Sequence, residues 1–256
     1  MSGTGSGGAA RPDPSPMLLD CRDIHMDFSG LRALGGVDFS AAEGEIVALV
    51  GPNGSGKSTL VNVMSGAMRP TSGRIRFGGV DITGRKPHAI SRLGIARTYQ
   101  IPRPFGTMTV LGNVAFAASF SADALPQREA EQRAWECLDF TKLAGVAHQL
   151  PGAINLQQRK FLELARALAA RPRLLMLDEV LTGLNPAEIE DSLDLIRRIH
   201  DSGVTLIIVE HLMRVITQLA SRLVVLDRGK LLAQGDPGDV MGREDVITAY
   251  LGREYA

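Results

Sequence analysis

One octapeptide, Gly51-Pro-Asn-Gly-Ser-Gly-Lys-Ser58, restricts this chain more than any other stretch. It meets the pattern G-x-x-x-x-G-K-[ST] at every defined position, and it stands between two segments of different character. Before it, Glu45-Ile-Val-Ala-Leu-Val50 is a continuous apolar run bounded by glycines, which predicts a strand covered on both faces. After it, Leu60, Val61 and Met64 recur at helical spacing and predict a helix from about Lys57 to Met68. A loop so placed can aim successive backbone N–H groups at one anion. Gly51, Gly54 and Gly56 permit the tight curvature, Pro52, Asn53 and Ser55 complete the cradle, and the helix adds its positive end. In this reading Lys57 reaches the β- and γ-phosphates of ATP, Ser58 offers a hydroxyl to Mg²⁺, and Thr59 adds a contact to the α-phosphate.

A second signal supports the first. Leu174-Leu-Met-Leu-Asp178-Glu179 is a hydrophobic strand that ends in two adjacent carboxylates. Ligands of open parallel sheets gather at the carboxyl ends of strands, which is the edge where a phosphate loop lies. Asp178 is then expected to hold Mg²⁺ through water, and Glu179 to polarise the attacking water. Adjacent acids are common on surfaces. The four apolar residues before them and the phosphate loop upstream give this pair its weight.

The rest of the chain predicts an α/β architecture. Leu18 to Phe28, Gly36 to Phe39 and Arg74 to Phe77 read as strands of an N-terminal antiparallel sheet, with Gly78-Gly79 turning into a further short strand. From Gln100 to about Arg171 strand-like runs disappear, and Gln127 to Leu143 carries a long helical pattern, as in an inserted helical subdomain. Beyond it follow Leu174 to Leu177, a helix over Pro186 to His200, the strand Thr205 to Val209, another helix, and the strand Leu223 to Leu226. That alternation implies a mostly parallel sheet with helices on both faces. Residues 1–16 are mostly Gly, Ser, Ala and Pro with little apolar content, expected as a disordered leader before a domain at 17–256. The leader lacks the basic and apolar regions of a secretory signal, so a cytosolic protein is expected.

Composition excludes some function classes. The 28 basic and 28 acidic residues cancel, so no broad electrostatic footprint for nucleic acid exists. The longest apolar runs are far too short to span a bilayer. Cys21 and Cys137 have no metal-ligand spacing and read as ordinary thiols.

With these residues in view, the chain resembles the ATPase subunits of ABC transporters over residues 18 to 255, which implies a P-loop NTPase core. Arg97-Thr-Tyr-Gln100 looks like the family's glutamine loop, in which Gln100 would touch the metal or water and sense the helical subdomain. Leu206-Ile-Ile-Val-Glu-His211 looks like the switch-histidine segment, which implies that His211 contacts the γ-phosphate. Phe28 falls where the family stacks an aromatic on adenine, although Phe is also an everyday core residue. Within the family the chain is most similar to the ATPases of branched-chain, or hydrophobic, amino acid importers. Phe28-Ser-Gly-Leu-Arg-Ala-Leu34, Ala96-Arg-Thr-Tyr-Gln100, Thr182-Gly-Leu-Asn-Pro186, Val209-Glu-His-Leu-Met213 and Ala249-Tyr-Leu-Gly252 carry this likeness. The partners so implied are transmembrane permease subunits, a second ATPase subunit and, indirectly, a substrate-binding protein outside the membrane. Urea and short-chain amide importers use very similar subunits. A soluble ABC ATPase and a non-catalytic nucleotide sensor are the rival readings.

One stretch departs from the family pattern. The L-S-G-G-Q signature, which faces the phosphate loop of a second subunit, aligns with Ile154-Asn-Leu-Gln-Gln158. Asn155 replaces the serine and can still offer a polar group to an anion, whereas Leu156 and Gln157 replace both glycines. Two expectations follow: a weakened contribution to the opposite ATP site, or a contribution kept by Asn155 and its helix dipole.

Overall fold

The computed structural model describes residues 17–251; the expected leader, residues 1–16, and Gly252 of the quoted C-terminal stretch lie outside the described residues. The N-terminal part is a hairpin of β1 (Met17–Phe28) and β2 (Leu31–Ala42), followed by β3 (Ile46–Val50), the phosphate-loop segment and α1 (Lys57–Met64). Then come β4 (Ser72–Phe77), β5 (Val80–Asp81), α2 (Pro87–Ser91) and β6 (Ile95–Arg97). Three helices occupy the middle: α3 (Val110–Ser119), α4 (Gln127–Phe140) and α5 (Leu156–Ala169). The remainder alternates as β7 (Leu174–Asp178), α6 (Pro186–Asp201), β8 (Thr205–Val209), α7 (Met213–Leu219), β9 (Arg222–Asp227), β10 (Lys230–Gly235), α8 (Pro237–Met241) and α9 (Glu244–Leu251).

The strands form two sheets. An antiparallel sheet has the order β2-β1-β4-β5, and a six-stranded sheet has the order β10-β9-β3-β8-β7-β6, parallel except for β10. Every residue of β3, β7 and β8 is buried. Alternate residues feed two cores: Leu175, Leu177, Leu206 and Ile208 face the helices α3 to α6, whereas Leu174, Met176, Ile207 and Val209 face α1 and the antiparallel sheet. Two-sided burial is the reason these strands read as unbroken apolar runs. Each such side chain contributes about 1.5–3 kcal/mol by leaving water.

Local signals set the element ends. The helix expected to reach Met68 stops at Met64, because Gly66 takes a left-handed φ of 75° and closes the last turn. α6 starts on a capping box in which Asn185 accepts from the N–H of Glu188 and the Glu188 carboxylate accepts from the N–H of Asn185. The strand expected from Gly36 begins at Leu31, since β2 pairs with β1 back to the Phe28–Leu31 position. Cys21 and Cys137 are buried free thiols, and burial pushes Cys137 up to about 11.

Candidate functional site

Four neighbouring parallel strands end at one edge of the large sheet. There β3 delivers the phosphate loop, β8 delivers Glu210 and His211, β7 delivers Asp178 and Glu179, and β6 delivers Arg97 to Gln100. The order of strands thus assembles residues far apart in the chain.

The loop is built so that two of its glycines have no substitute. A Cβ at Gly51, where φ is 147°, would lie 2.1 Å from the Leu226 carbonyl oxygen and 2.6 Å from Ser55 Oγ. One at Gly56, the N-cap of α1 with φ 104°, would meet Leu34 Cδ2 at 2.8 Å and the Ala33 oxygen at 2.9 Å. No side chain caps α1, so its first-turn N–H groups face the loop cavity. Ser55 is fully buried; its N–H donates to Pro52 O at 3.1 Å and its carbonyl accepts from Gly229 N at 3.0 Å. Lys57 Nζ donates to the carbonyls of Gly51 and Pro52 at 2.7 and 3.1 Å, which lays the ammonium across the loop. Asn53, Gly54 and Ser58 are exposed, and Thr59 is half-buried.

The acidic pair is held from two directions. Asp178 Oδ2 accepts from Arg97 Nη2 at 2.7 Å, with both side chains nearly buried. Glu179 leaves β7 with a positive φ of 48°, its N–H donating to Val209 O at 2.9 Å. A side-chain-bearing residue at that φ costs about 1–3 kcal/mol and persists only where the surroundings impose it. Gln100 Nε2 donates to Glu179 Oε2, so the expected glutamine and the expected catalytic carboxylate are brought together.

Behind them is a buried charged group that sequence reasoning passed over. Glu210 is buried, with Oε1 accepting from Leu181 N at 3.1 Å. Burial pushes its carboxyl above the ordinary value, the Glu179 charge adds to the rise, and Leu181, His211 and Lys160 oppose it. Lys160 on α5 is buried in turn; desolvation lowers its ammonium, against the pull of Glu210 and Glu179. His211 is exposed immediately after Glu210. Tyr250 on α9 is hydrogen-bonded to the backbone of Gly51, and burial pushes its phenol up to about 12.

Two expected residues lie apart from this cluster. Phe28 is exposed at the tip of the β1–β2 hairpin, whose second strand touches the loop at Gly56 through Ala33 and Leu34. Asn155 caps α5: it accepts from Gln158 N at 2.8 Å, while Gln158 Oε1 accepts from Asn155 N at 3.0 Å. Its amide oxygen is therefore committed to its own helix. Gln157 Nε2 reaches Glu188 O and Asp191 Oδ2 of α6, both at 3.4 Å, and Leu156 lies against Gly183.

Arg97, Lys160, Glu210 and Tyr250 were missed as site residues. For Glu210 a signal existed, since it is a charged residue at the end of an apolar strand run, directly beside His211.

The family model described as ABC transporter matches residues 34–182, from β2 to beyond Glu179 and more than half of the 256 residues. The chain belongs to the ABC transporter family. It is an ATP-binding cassette, and an ATPase on a P-loop NTPase fold. The high-affinity branched-chain amino acid transport ATP-binding protein BraF of Pseudomonas aeruginosa is 36% identical, the match covering 92% of this chain and 98% of that protein. The corresponding protein LivG of Escherichia coli is 34% identical over 93% of this cassette and 99% of LivG. Among solved structures, a nucleotide-free ATP-binding cassette from an ABC transporter superposes with a TM-score of 0.83 at 28% identity, covering 92% of this chain and 99% of the other. The ADP conformation of an ABC transporter cassette gives 0.83 at 28% identity, covering 93% and 100%.

Proposed function

We propose that the cassette is the ATP-hydrolysing subunit of an importer for branched-chain or other hydrophobic amino acids, and that closure of two ATPase subunits drives transport. The names of BraF and LivG support the substrate class. No helix among the described residues is long and apolar enough to cross a membrane, so attachment to the inner face of the membrane falls to permease subunits. A substrate-binding protein outside the membrane would deliver the cargo.

The observation that carries the catalytic reading is the Gln100–Glu179 hydrogen bond at the edge that also holds the loop and Asp178. The backbone amides of residues 51–59 and Lys57 bind the triphosphate, with Phe28 stacking on adenine. Glu179 orients the attacking water and takes its proton, Gln100 keeps that carboxylate aimed, and His211 meets the charge that develops on the γ-phosphate. Ser58, Gln100 and Asp178 offer a hydroxyl, an amide oxygen and a carboxylate, an all-oxygen set suited to Mg²⁺. Among the described residues no group of three or more His, Cys, Asp or Glu is placed to hold a metal ion, so phosphate and water would supply the remaining ligands. When bound, Mg²⁺ neutralises charge on the β- and γ-oxygens.

Asn155 belongs to the opposite site, where it would approach the second subunit's nucleotide. Its commitment to the α5 capping box, and the side chains of Leu156 and Gln157 where glycines would let backbone approach, support a weakened contribution there. The segment Pro102 to Val114 supports a docking role toward a permease helix. Phe105 stacks edge-on against Phe116 at 5.0 Å, both exposed, with Arg166 over the Phe105 ring at 5.3 Å. They lie near a cleft of about 320 Å³ lined by Tyr99, Phe120 and Arg166.

The test is reconstitution with the permease subunits and binding protein in proteoliposomes. ATP-dependent uptake of labelled leucine or isoleucine is expected, and the Glu179→Gln variant should abolish it. Uptake of urea or acetamide in place of leucine would overturn the cargo, and failure to associate with any permease would overturn the transport role.

A further inference from the structure

We propose that Arg97 is a positioning residue for the metal of the ATP site. The inference rests on the reading of Asp178 as the metal-facing carboxylate. Arg97 ends β6, and its guanidinium joins two other elements: Nη2 donates to Asp178 Oδ2 at 2.7 Å, and Nη1 donates to Asn62 Oδ1 at 2.6 Å. Asn62 stands on α1, which starts with Lys57 and Ser58, and Asp178 ends β7. One planar fork therefore fixes the spacing between the strand that carries the carboxylate and the helix that carries the phosphate-binding lysine and the metal-facing hydroxyl. The ring of Tyr99 lies 5.0 Å from the guanidinium carbon and restricts it further.

A purely architectural role explains less. β6 is already joined to β7 by parallel pairing from Ile95–Leu174 to Arg97–Met176, so that edge needs no ion pair to hold it. The side chains are only 10% and 12% exposed, and a buried ion pair is weak evidence for stability, since apolar residues of similar size often do as well. What apolar residues do not supply is a grip on one carboxylate oxygen that leaves the other with a single orientation. Partners of this outer kind, which hold a metal-facing group in place, typically change metal affinity by about 10- to 100-fold when removed.

Arg97 also repels a cation bound nearby. A neutral replacement would mix loss of aim with relief of repulsion. Lysine keeps the charge and loses the fork, and at a site that is both forked and stacked this exchange is not conservative. The Arg97→Lys protein, full length, is titrated with Mn²⁺ in the presence of a non-hydrolysable ATP analogue, with free Mn²⁺ followed by electron paramagnetic resonance. Mn²⁺ affinity should fall about tenfold, while nucleotide affinity measured in chelator stays within about twofold. In turnover assays the Mg²⁺ concentration for half-saturation should rise about tenfold, with the maximal rate largely recovered at saturating Mg²⁺.

Unchanged Mn²⁺ affinity overturns the proposal. An equal loss of metal-free nucleotide binding overturns it too, by marking Arg97 as a support of the fold. Asn62→Leu leaves Arg97 and Asp178 in place, should shift Mn²⁺ affinity in the same direction, and decides the matter if Arg97→Lys does not fold. Asp178→Asn separates the two readings. If it loses Mn²⁺ and Arg97→Lys does not, only the role of Arg97 is refuted; if it retains Mn²⁺, the reading of Asp178 falls as well.

Discussion

The carboxamide of Gln100 donates to the Glu179 carboxylate across 79 positions of sequence, while the Glu179 backbone is held at φ 48° by the Val209 carbonyl. Both constraints aim one oxygen pair along the sheet edge. Replacing Glu179 by Gln keeps the size and removes the basicity. ATP turnover should fall by about 10²- to 10⁴-fold, the typical worth of a positioned base, with nucleotide affinity nearly unchanged. Phosphate release measured beside a nucleotide titration checks this; a variant turning over near the wild-type rate would remove Glu179 from the role of base.

Lys57 donates to two carbonyls of its own loop, and under the proposed role it would exchange them for phosphate oxygens. Lys57→Ala should weaken ATP binding by about 10- to 100-fold, the loss of a charged hydrogen bond of about 1.5–3 kcal/mol. Melting without nucleotide should change little. Equal ATP affinity in isothermal titration would contradict the assignment.

Gly51→Ala places a methyl group 2.1 Å from the Leu226 carbonyl oxygen, a backbone atom with little room to give. A loss of more than about 2 kcal/mol in stability is expected from the forced backbone shift. Gly145→Ala, where nothing lies within 4 Å, is the control and should melt with the wild type. Equal denaturant midpoints for the two variants would refute the close approach.

Glu210 sets a pH dependence. Burial raises its pKa in the folded protein, so the native state binds more protons than the unfolded one between the ordinary glutamate value and the raised one. Stability should therefore fall as pH rises through that window. Glu210→Gln keeps an acceptor for Leu181 N–H and removes the titration. The stability difference between variant and wild type should grow with pH across the window and then level off. Urea unfolding over a pH series reads it directly, and a difference independent of pH would exclude the effect.

The altered signature predicts unequal ATP sites in a heterodimer. With the partner ATPase present, Glu179→Gln in this chain and the matching change in the partner should cause clearly different losses of turnover. Equal losses would dispose of the asymmetry.

How much of this was legible in the sequence depended on locality. The phosphate loop is contiguous and its flanks are strongly patterned, so residues 51–59 and the β3–loop–α1 order were readable. Asp178 and Glu179 were readable because β7 is apolar to its last turn. β6 was not, since three residues at a sheet edge are too few to display a period. Long-range partners were equally hidden: Arg97 finds Asp178 81 positions away, and nothing in their spacing encodes that β6 and β7 become neighbours. Tyr250 lay in a quoted stretch, yet its bond to Gly51 depends on α9 returning to the β3 edge. The Asn155 cap was legible from residue type, whereas the anchoring of Gln157 on α6 depends on tertiary packing.

Helix α5 touches two different neighbours along its length: Gln157 near its start reaches α6, and Glu163 and Arg166 farther along hold the backbone of Arg103. Fourteen residues make a rod about 21 Å long. Pivoting it by roughly ten degrees about one end sweeps the other through nearly 4 Å, about the width of a methyl group. On the proposed reading of Asn155, a modest tilt begun at that end would be magnified into a displacement comparable to the opening of the aromatic cleft that Arg166 lines. The gearing is set by the length of one helix.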